Sequence, residues 1–98
     1  MSLENMIIEW ANDRHLYENS TTSAQIGKLY EEIEEVKEAI ESGDEKEIKL
    51  ELGDCYVVLV NLAKRLGFSL HGCGIAAYLK IKDRTGKMEN GTFVKDLK

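Results

Sequence analysis

Residues 22–66, TSAQIGKLYEEIEEVKEAIESGDEKEIKLELGDCYVVLVNLAKRL, decide the fold. Two helical patterns meet across Ser42-Gly43-Asp44. In the first, Ile26, Leu29, Tyr30, Ile33, Val36 and Ile40 recur at the helical period and are expected to form a core stripe. At about 100° per residue, Gln25, Lys28, Glu32 and Glu35 form a polar stripe directly beside it. Thr22 followed by Gln25 has capping-box spacing, so this helix is expected to start there and to run to Ile40 or Glu41. Asp44 with Glu47 opens the next helix, which stops before Gly67. From Leu50 to Leu66 that helix is apolar nearly all round, the mark of a central helix covered on several sides.

Outward from this pair the pattern stays helical. Leu3, Met6, Ile7 and Trp10 share one face of a segment from Leu3 to Arg14, and the polar run Asn19–Ser23 follows it. Ser69 can cap a further helix running towards Arg84. The tail from Thr85 to Lys98 reads as irregular or as a short extended arm. The expectation is one all-α domain over residues 1–98, a compact bundle of about four helices with an irregular tail at 85–98. At 98 residues one core is all the chain can bury, and that core is marginal, so a homo-oligomer, dimer or tetramer, is expected.

Composition removes several function classes. Thirteen Lys+Arg against eighteen Asp+Glu give a net charge of −5, which argues against nucleic acid as a partner. The longest apolar stretch, Cys55 to Val60, is far short of the roughly 20 residues a bilayer requires. No signal-like segment opens the chain and two cysteines make no disulfide framework, so the cytoplasm is the expected compartment. His15 and His71 have no ligand spacing, and Tyr17, Tyr30, Tyr56 and Tyr78 read as packing residues.

The carboxylates carry the chemistry. Glu51 and Asp54 sit near the start of the apolar helix, and Glu51 falls in line with Cys55, Val58 and Leu62, a stripe that should be buried. An unpartnered carboxylate there costs several kcal/mol. The short connector makes the two helices antiparallel neighbours, so Glu32 and Glu35 can converge with Glu51 and Asp54. Like charges about 4 Å apart repel by roughly 4 kcal/mol at an effective dielectric of 20. Such a group requires protons, basic partners or a metal, and all-oxygen ligation selects Mg²⁺ or Mn²⁺ over Zn²⁺. Glu34 and Glu38 are expected to point away from this stripe.

At these residues the chain resembles a known family. Glu31-Glu32-Ile33-Glu34-Glu35 followed by Glu51-Leu52-Gly53-Asp54 is similar to the E-E-x-x-E…E-x-x-D signature of MazG-like nucleoside triphosphate pyrophosphohydrolases. Trp10-Ala11, Gln25-x-x-Lys28-Leu29, Lys80 with Arg84, Gly86-Lys87-Met88 and Gly91-x-Phe93-x-Lys95 resemble the flanks of short phage- and bacterial-type members. Ala77 departs from the pattern, since many members have Asn there. The resemblance implies Mg²⁺-dependent hydrolysis of a (d)NTP between its α- and β-phosphates, in pool cleansing or monophosphate supply (in a host cytoplasm for a phage-encoded chain). It implies Glu32, Glu35, Glu51 and Asp54 as metal ligands, with Mn²⁺ a substitute, and Glu31 as the group that orients or deprotonates the attacking water. Lys28, Lys80, Arg84 and Lys95 are candidates for phosphate oxygens. Trp10, Gln25 and Asn61 are candidates for substrate contact, Trp10 by stacking and Asn61 in a base pocket. Two alternatives stay open: a related phosphoribosyl-ATP pyrophosphatase, and a non-enzymatic helical assembly or adaptor module whose acids merely solvate a face.

Overall fold

The computed structural model describes residues 1–97; Lys98, the last residue of the tail expected to be irregular, lies outside the described residues. Five helices and a two-stranded hairpin follow one another: α1 (Leu3–Asp13), α2 (Leu16–Asn19), α3 (Thr22–Ser42), α4 (Glu45–Arg65), α5 (Leu70–Ile81), β1 (Gly86–Glu89) and β2 (Thr92–Lys95). The chain is mostly helical, as expected, with one more helix than expected: the single turn of α2.

Local chemistry sets the boundaries. Ser2 caps α1, its Oγ accepting from the Asn5 amide at 3.1 Å. Thr21 caps α3, one residue before the expected position, with Oγ1 accepting from the Ala24 amide at 3.0 Å. Gly43 ends α3 in the left-handed region at φ 75°, a conformation that costs glycine nothing. Asp44 then caps α4 through its Oδ1, which accepts from the Lys46 and Glu47 amides. This connector folds α4 back along α3, so the Thr22 and Arg65 ends meet, with the Arg65 guanidinium donating to Thr22 Oγ1 at 3.3 Å.

Helix α4 is central and packs against α3, α1 and α5. Val58, Val60 and Ala63 of α4, with Ala11 of α1 and Ala39 of α3, form the core. Val60 is 1% exposed, and burying a side chain of that size is worth roughly 1.5–3 kcal/mol. The α3 stripe is displaced from expectation. Thr22, Gln25, Leu29, Glu32, Val36 and Ala39 are its covered residues, whereas Ile26, Tyr30, Ile33 and Ile40 are exposed. The reason is geometric: the face of α3 turned to α4 is the one that carries Glu32, and the large apolar residues are left flanking it.

Two further expectations are corrected in the C-terminal third. Of the two forms expected for the tail the irregular one is corrected and the extended one holds, because β1 and β2 pair antiparallel with Lys87 opposite Val94 and Met88 opposite Phe93. Asn90 and Gly91, both at positive φ, form the two-residue turn such hairpins favour. At Gly86 a Cβ would lie 2.2 Å from the Val94 carbonyl oxygen and 2.7 Å from the Phe93 ring, so no side chain fits. Nor is the bundle compact. Its radius of gyration is 16.2 Å, against about 13 Å for a compact domain near 100 residues. Every residue from His71 to Leu97 is exposed, so α5 and the hairpin form an arm outside the core.

Candidate metal centre

Antiparallel packing brings Glu32 and Glu35 of α3 to Glu51 and Asp54 of α4. Each offers one carboxylate oxygen, and these oxygens all lie within 4.8 Å of one another. The i, i+3 spacing on each helix puts both members of a pair on one face. Glu32 is 4% exposed, and Lys28, one turn earlier, reaches it at 3.1 Å and Glu31 at 3.7 Å. That single ammonium does not neutralise the group. Oε2 of Glu32 and Oε2 of Glu51 are both buried without a hydrogen-bond partner.

The electrostatics record the crowding. A hydrogen bond shared with Glu35, burial, and the charges of Glu35, Asp54 and Glu32 push the Glu51 carboxyl up to about 7. The Lys28 ammonium is held more basic than usual, first by its hydrogen bond to Glu32 and then by that residue's charge. Burial, then the nearby acids, raise the Cys55 thiol, which disfavours a thiolate there. Orphaned buried oxygens and a hard four-oxygen donor set fit a divalent cation of the Mg²⁺ or Mn²⁺ kind.

Beside the acids lies an open cavity of about 550 Å³ lined by Trp10, Leu16, Gln25, Lys28, Val57 and Asn61 among others. Lys28 and Glu31 belong to both its wall and the edge of the acidic group. Asn61 is 2% exposed, and its Oδ1 accepts from the Tyr17 hydroxyl at 2.7 Å. Tyr17 is fixed in turn by Arg65, whose guanidinium donates to the Tyr17 carbonyl at 2.9 Å. Burial raises the Tyr17 phenol, keeping it a proton donor. Trp10 lies under the Arg14 guanidinium, 4.4 Å from the ring centroid.

The MazG nucleotide pyrophosphohydrolase domain matches residues 20–88, which contain both acidic pairs. The chain belongs to this family. A protein of 18.2 kDa from the rep-hol intergenic region of Haemophilus phage HP1 (strain HP1c1), described as uncharacterised, is 44% identical over 59 residues. That stretch is 60% of this chain and 36% of the phage protein, so the match spans about a third of that relative. The expected resemblance to a short phage-type member is thus borne out. No solved structure matches.

The MazG chain gathers some of the residues singled out in its sequence and leaves others apart. Glu31, Glu32, Glu35, Glu51, Asp54 and Lys28 cluster, and Trp10, Gln25 and Asn61 line the adjoining cavity. Lys80 lies on α5, Arg84 just beyond it and Lys95 on β2, all exposed on the arm. Among the described residues, none of these three lines the cavity beside the acids or forms an ion pair with them. Glu38 does not point away as expected: with Glu35, Glu47 and Glu51 it lines a groove at the Gly43 end of the site. The i, i+4 step from Glu47 to Glu51 was the available signal for that extension. Tyr17 and Arg65 are the polar contributors that the sequence did not reveal, because their partners stand more than 40 residues away.

Proposed function

We propose that this chain is a nucleoside triphosphate pyrophosphohydrolase that requires a divalent cation, Mg²⁺ or Mn²⁺, and cleaves a (d)NTP between its α- and β-phosphates. One observation carries the reading: two buried, unpartnered carboxylate oxygens sit within a group of four acids contributed by facing helices. Glu32, Glu35, Glu51 and Asp54 would hold the cation. Bound there, it supplies positive charge to the phosphate oxygens and the leaving pyrophosphate and acidifies water.

The protein's own residues divide the remaining work. Lys28, anchored on Glu32, offers its ammonium to a phosphate oxygen at the mouth of the cavity. Glu31, exposed beside it, accepts a proton from the attacking water. The water oxygen bonds to the α-phosphorus, the bond from that phosphorus to the bridging oxygen breaks, and pyrophosphate leaves with that oxygen. Trp10, Gln25 and Asn61 receive the nucleoside.

Lys80, Arg84 and Lys95 require a second chain in this reading. Their arm is exposed from His71 onward, and a 12-residue helix and a lone hairpin are each marginal in isolation. Ile33 at 51% and Ile40 at 58% exposure leave an uncovered apolar face on α3. Homodimers or homotetramers that fold the arm of one protomer over its partner would cover these faces and bring the arm's cations near phosphate.

The test is a panel of NTPs and dNTPs assayed with Mg²⁺, with Mn²⁺ and with chelator, with products identified. Metal-dependent release of pyrophosphate and a monophosphate is expected. Release of orthophosphate, or no hydrolysis of any triphosphate, would overturn the reading. Light scattering at micromolar concentration should show at least a dimer.

A further inference from the structure

Trp10, the only tryptophan of the chain, is 48% exposed, on a helix surface where an indole has more than one rotamer open to it. Arg14, one turn on, removes that freedom. Its guanidinium donates to the Trp10 carbonyl at 3.0 Å and lies over the Trp10 ring, 4.4 Å from the centroid. Backbone and ring of one residue hold the cation, and the cation in turn holds the ring. Among the described residues Arg14 makes no ion pair, although the chain has eighteen acids. Its charge is set against the indole instead. Trp10 lines two cavities, the one beside the acids with Lys28 and Glu31 and an apolar one with Leu3, Met6 and Asp54. Arg14 lines neither. The indole therefore meets both cavities with its uncovered face and its rim.

We infer that Arg14 is a positioning residue for the nucleobase: it covers one face of Trp10 and fixes the ring, so that a base stacks on the opposite face, in a cavity that adjoins the acids. Resting on the nucleotide reading above, this adds to it the group that prepares the stacking surface. Immobilising a side chain on binding weakens an affinity by a factor of about two to ten. With Arg14 in place the indole is already ordered in the free protein, and binding is spared that factor. A planar guanidinium suits the task, because it can stack on a ring while an N–H at its edge donates elsewhere, which a single ammonium cannot do as well. Every base presents a π face, so stacking of this kind selects nucleotides over base-free polyphosphates rather than one base over another.

The fluorescence of the lone Trp10 tests this without hydrolysis. In Mg²⁺, dUMP and dGMP should quench it, whereas inorganic tripolyphosphate, which has no ring, should leave it nearly unchanged. Arg14→Met should raise the Kd of both nucleotides by about three- to tenfold, and the KM of the corresponding triphosphates alike, with kcat within about twofold. Arg14→Gln keeps a donor for the Trp10 carbonyl and loses the cation, so it should weaken binding as Arg14→Met does. Arg14→Lys keeps the charge without the planar fork and should fall between these variants and the parent. The inhibition constant of tripolyphosphate should stay within about twofold throughout; circular dichroism and a melting curve establish that each variant is folded. An unchanged nucleotide Kd in the folded variants, an equal loss for tripolyphosphate, or nucleotide binding that leaves the Trp10 fluorescence untouched would overturn the inference while leaving a pyrophosphohydrolase standing. The expected losses without pyrophosphate release would do the opposite, and a parent protein that binds no nucleotide would overturn both.

Discussion

At the Thr22–Arg65 end of the α3–α4 pair, Asn61 is buried and its amide oxygen takes the Tyr17 proton. Two turns away, Glu32 is equally buried and one of its oxygens takes nothing. Both regions hide polar groups against the same central helix, and both lie beside the same cavity. They differ in completeness. Arg65 meets two partners and Asn61 meets one in a closed set that holds the helices in register. The acids meet one lysine and one another. A buried polar group left unpaired costs about 1–3 kcal/mol, more when charged. The closed set therefore accounts for itself within the chain, whereas the acidic set requires something from outside it.

The comparison breaks most visibly under mutation. Glu32→Gln, Glu35→Gln, Glu51→Gln and Asp54→Asn should each lower turnover by roughly two orders of magnitude or more, because the charge that holds the cation is gone. Glu51→Gln should also leave the metal-free fold as stable as the parent or more so, since it relieves repulsion at a half-buried site. Steady-state kinetics and chelator-treated melting curves together check this pair of outcomes. Lost activity with lost stability would place the acids in the closed class with Asn61.

Metal sharpens the same distinction thermally. At 100 times its dissociation constant a ligand adds about 2.7 kcal/mol, which for a domain of this size raises Tm by about 10–20 °C. Differential scanning calorimetry with excess Mg²⁺ and with chelator measures it. At the other end, Arg65→Met should cost about 1–3 kcal/mol through the lost contacts to Tyr17 and Thr22, equally with and without Mg²⁺. Metal-dependent destabilisation by that substitution would join the two regions into one.

The subtlest expected effect is on pH. The Glu51 carboxyl rises from 4.5 to about 7 on folding, so between those values the folded chain binds a proton that the unfolded chain has released. Metal-free stability is therefore full below the lower value and falls as pH climbs through the upper one. A cation competes for the same oxygens, so Mg²⁺ binding near pH 6 should expel a proton and weaken as pH drops. Calorimetric titration in buffers of different ionisation enthalpy counts that proton, and Glu51→Gln should abolish it.

These contrasts were unevenly legible in the sequence. The helix limits were readable because caps act within a few residues: Asp44 before Glu47 and Ser69 before Gly72 hold the positions expected of them. The four converging acids were readable because a short connector and an i, i+3 spacing leave two helices little choice. The hairpin was missed although Asn90-Gly91 is a turn signal, because its strands are four residues each, too brief for alternation to register. The exposed face of α3 was illegible in principle. Periodicity finds an apolar stripe without saying whether the same chain covers it. Tyr17 and Arg65 escaped because a hydrogen bond between distant residues leaves no local period.

The tight connector at Gly43-Asp44 has a consequence for how such a chain can change length. Glu35 and Glu51 face each other only while α3 and α4 keep their phase, and each inserted or deleted residue turns a helix by about 100°. A single-residue insertion within either helix, between its carboxylate pair and the connector, therefore rotates that pair out of the cluster, whereas the exposed turn at Gly43-Asp44 can take up added length without rotating a helix. Adding one full turn to both helices, about seven residues in all, restores the phase and merely lengthens the hairpin. The helical part of the spacing between the two acidic pairs should then behave as a quantised variable, permissive in steps of paired turns and closed to the lengths between them.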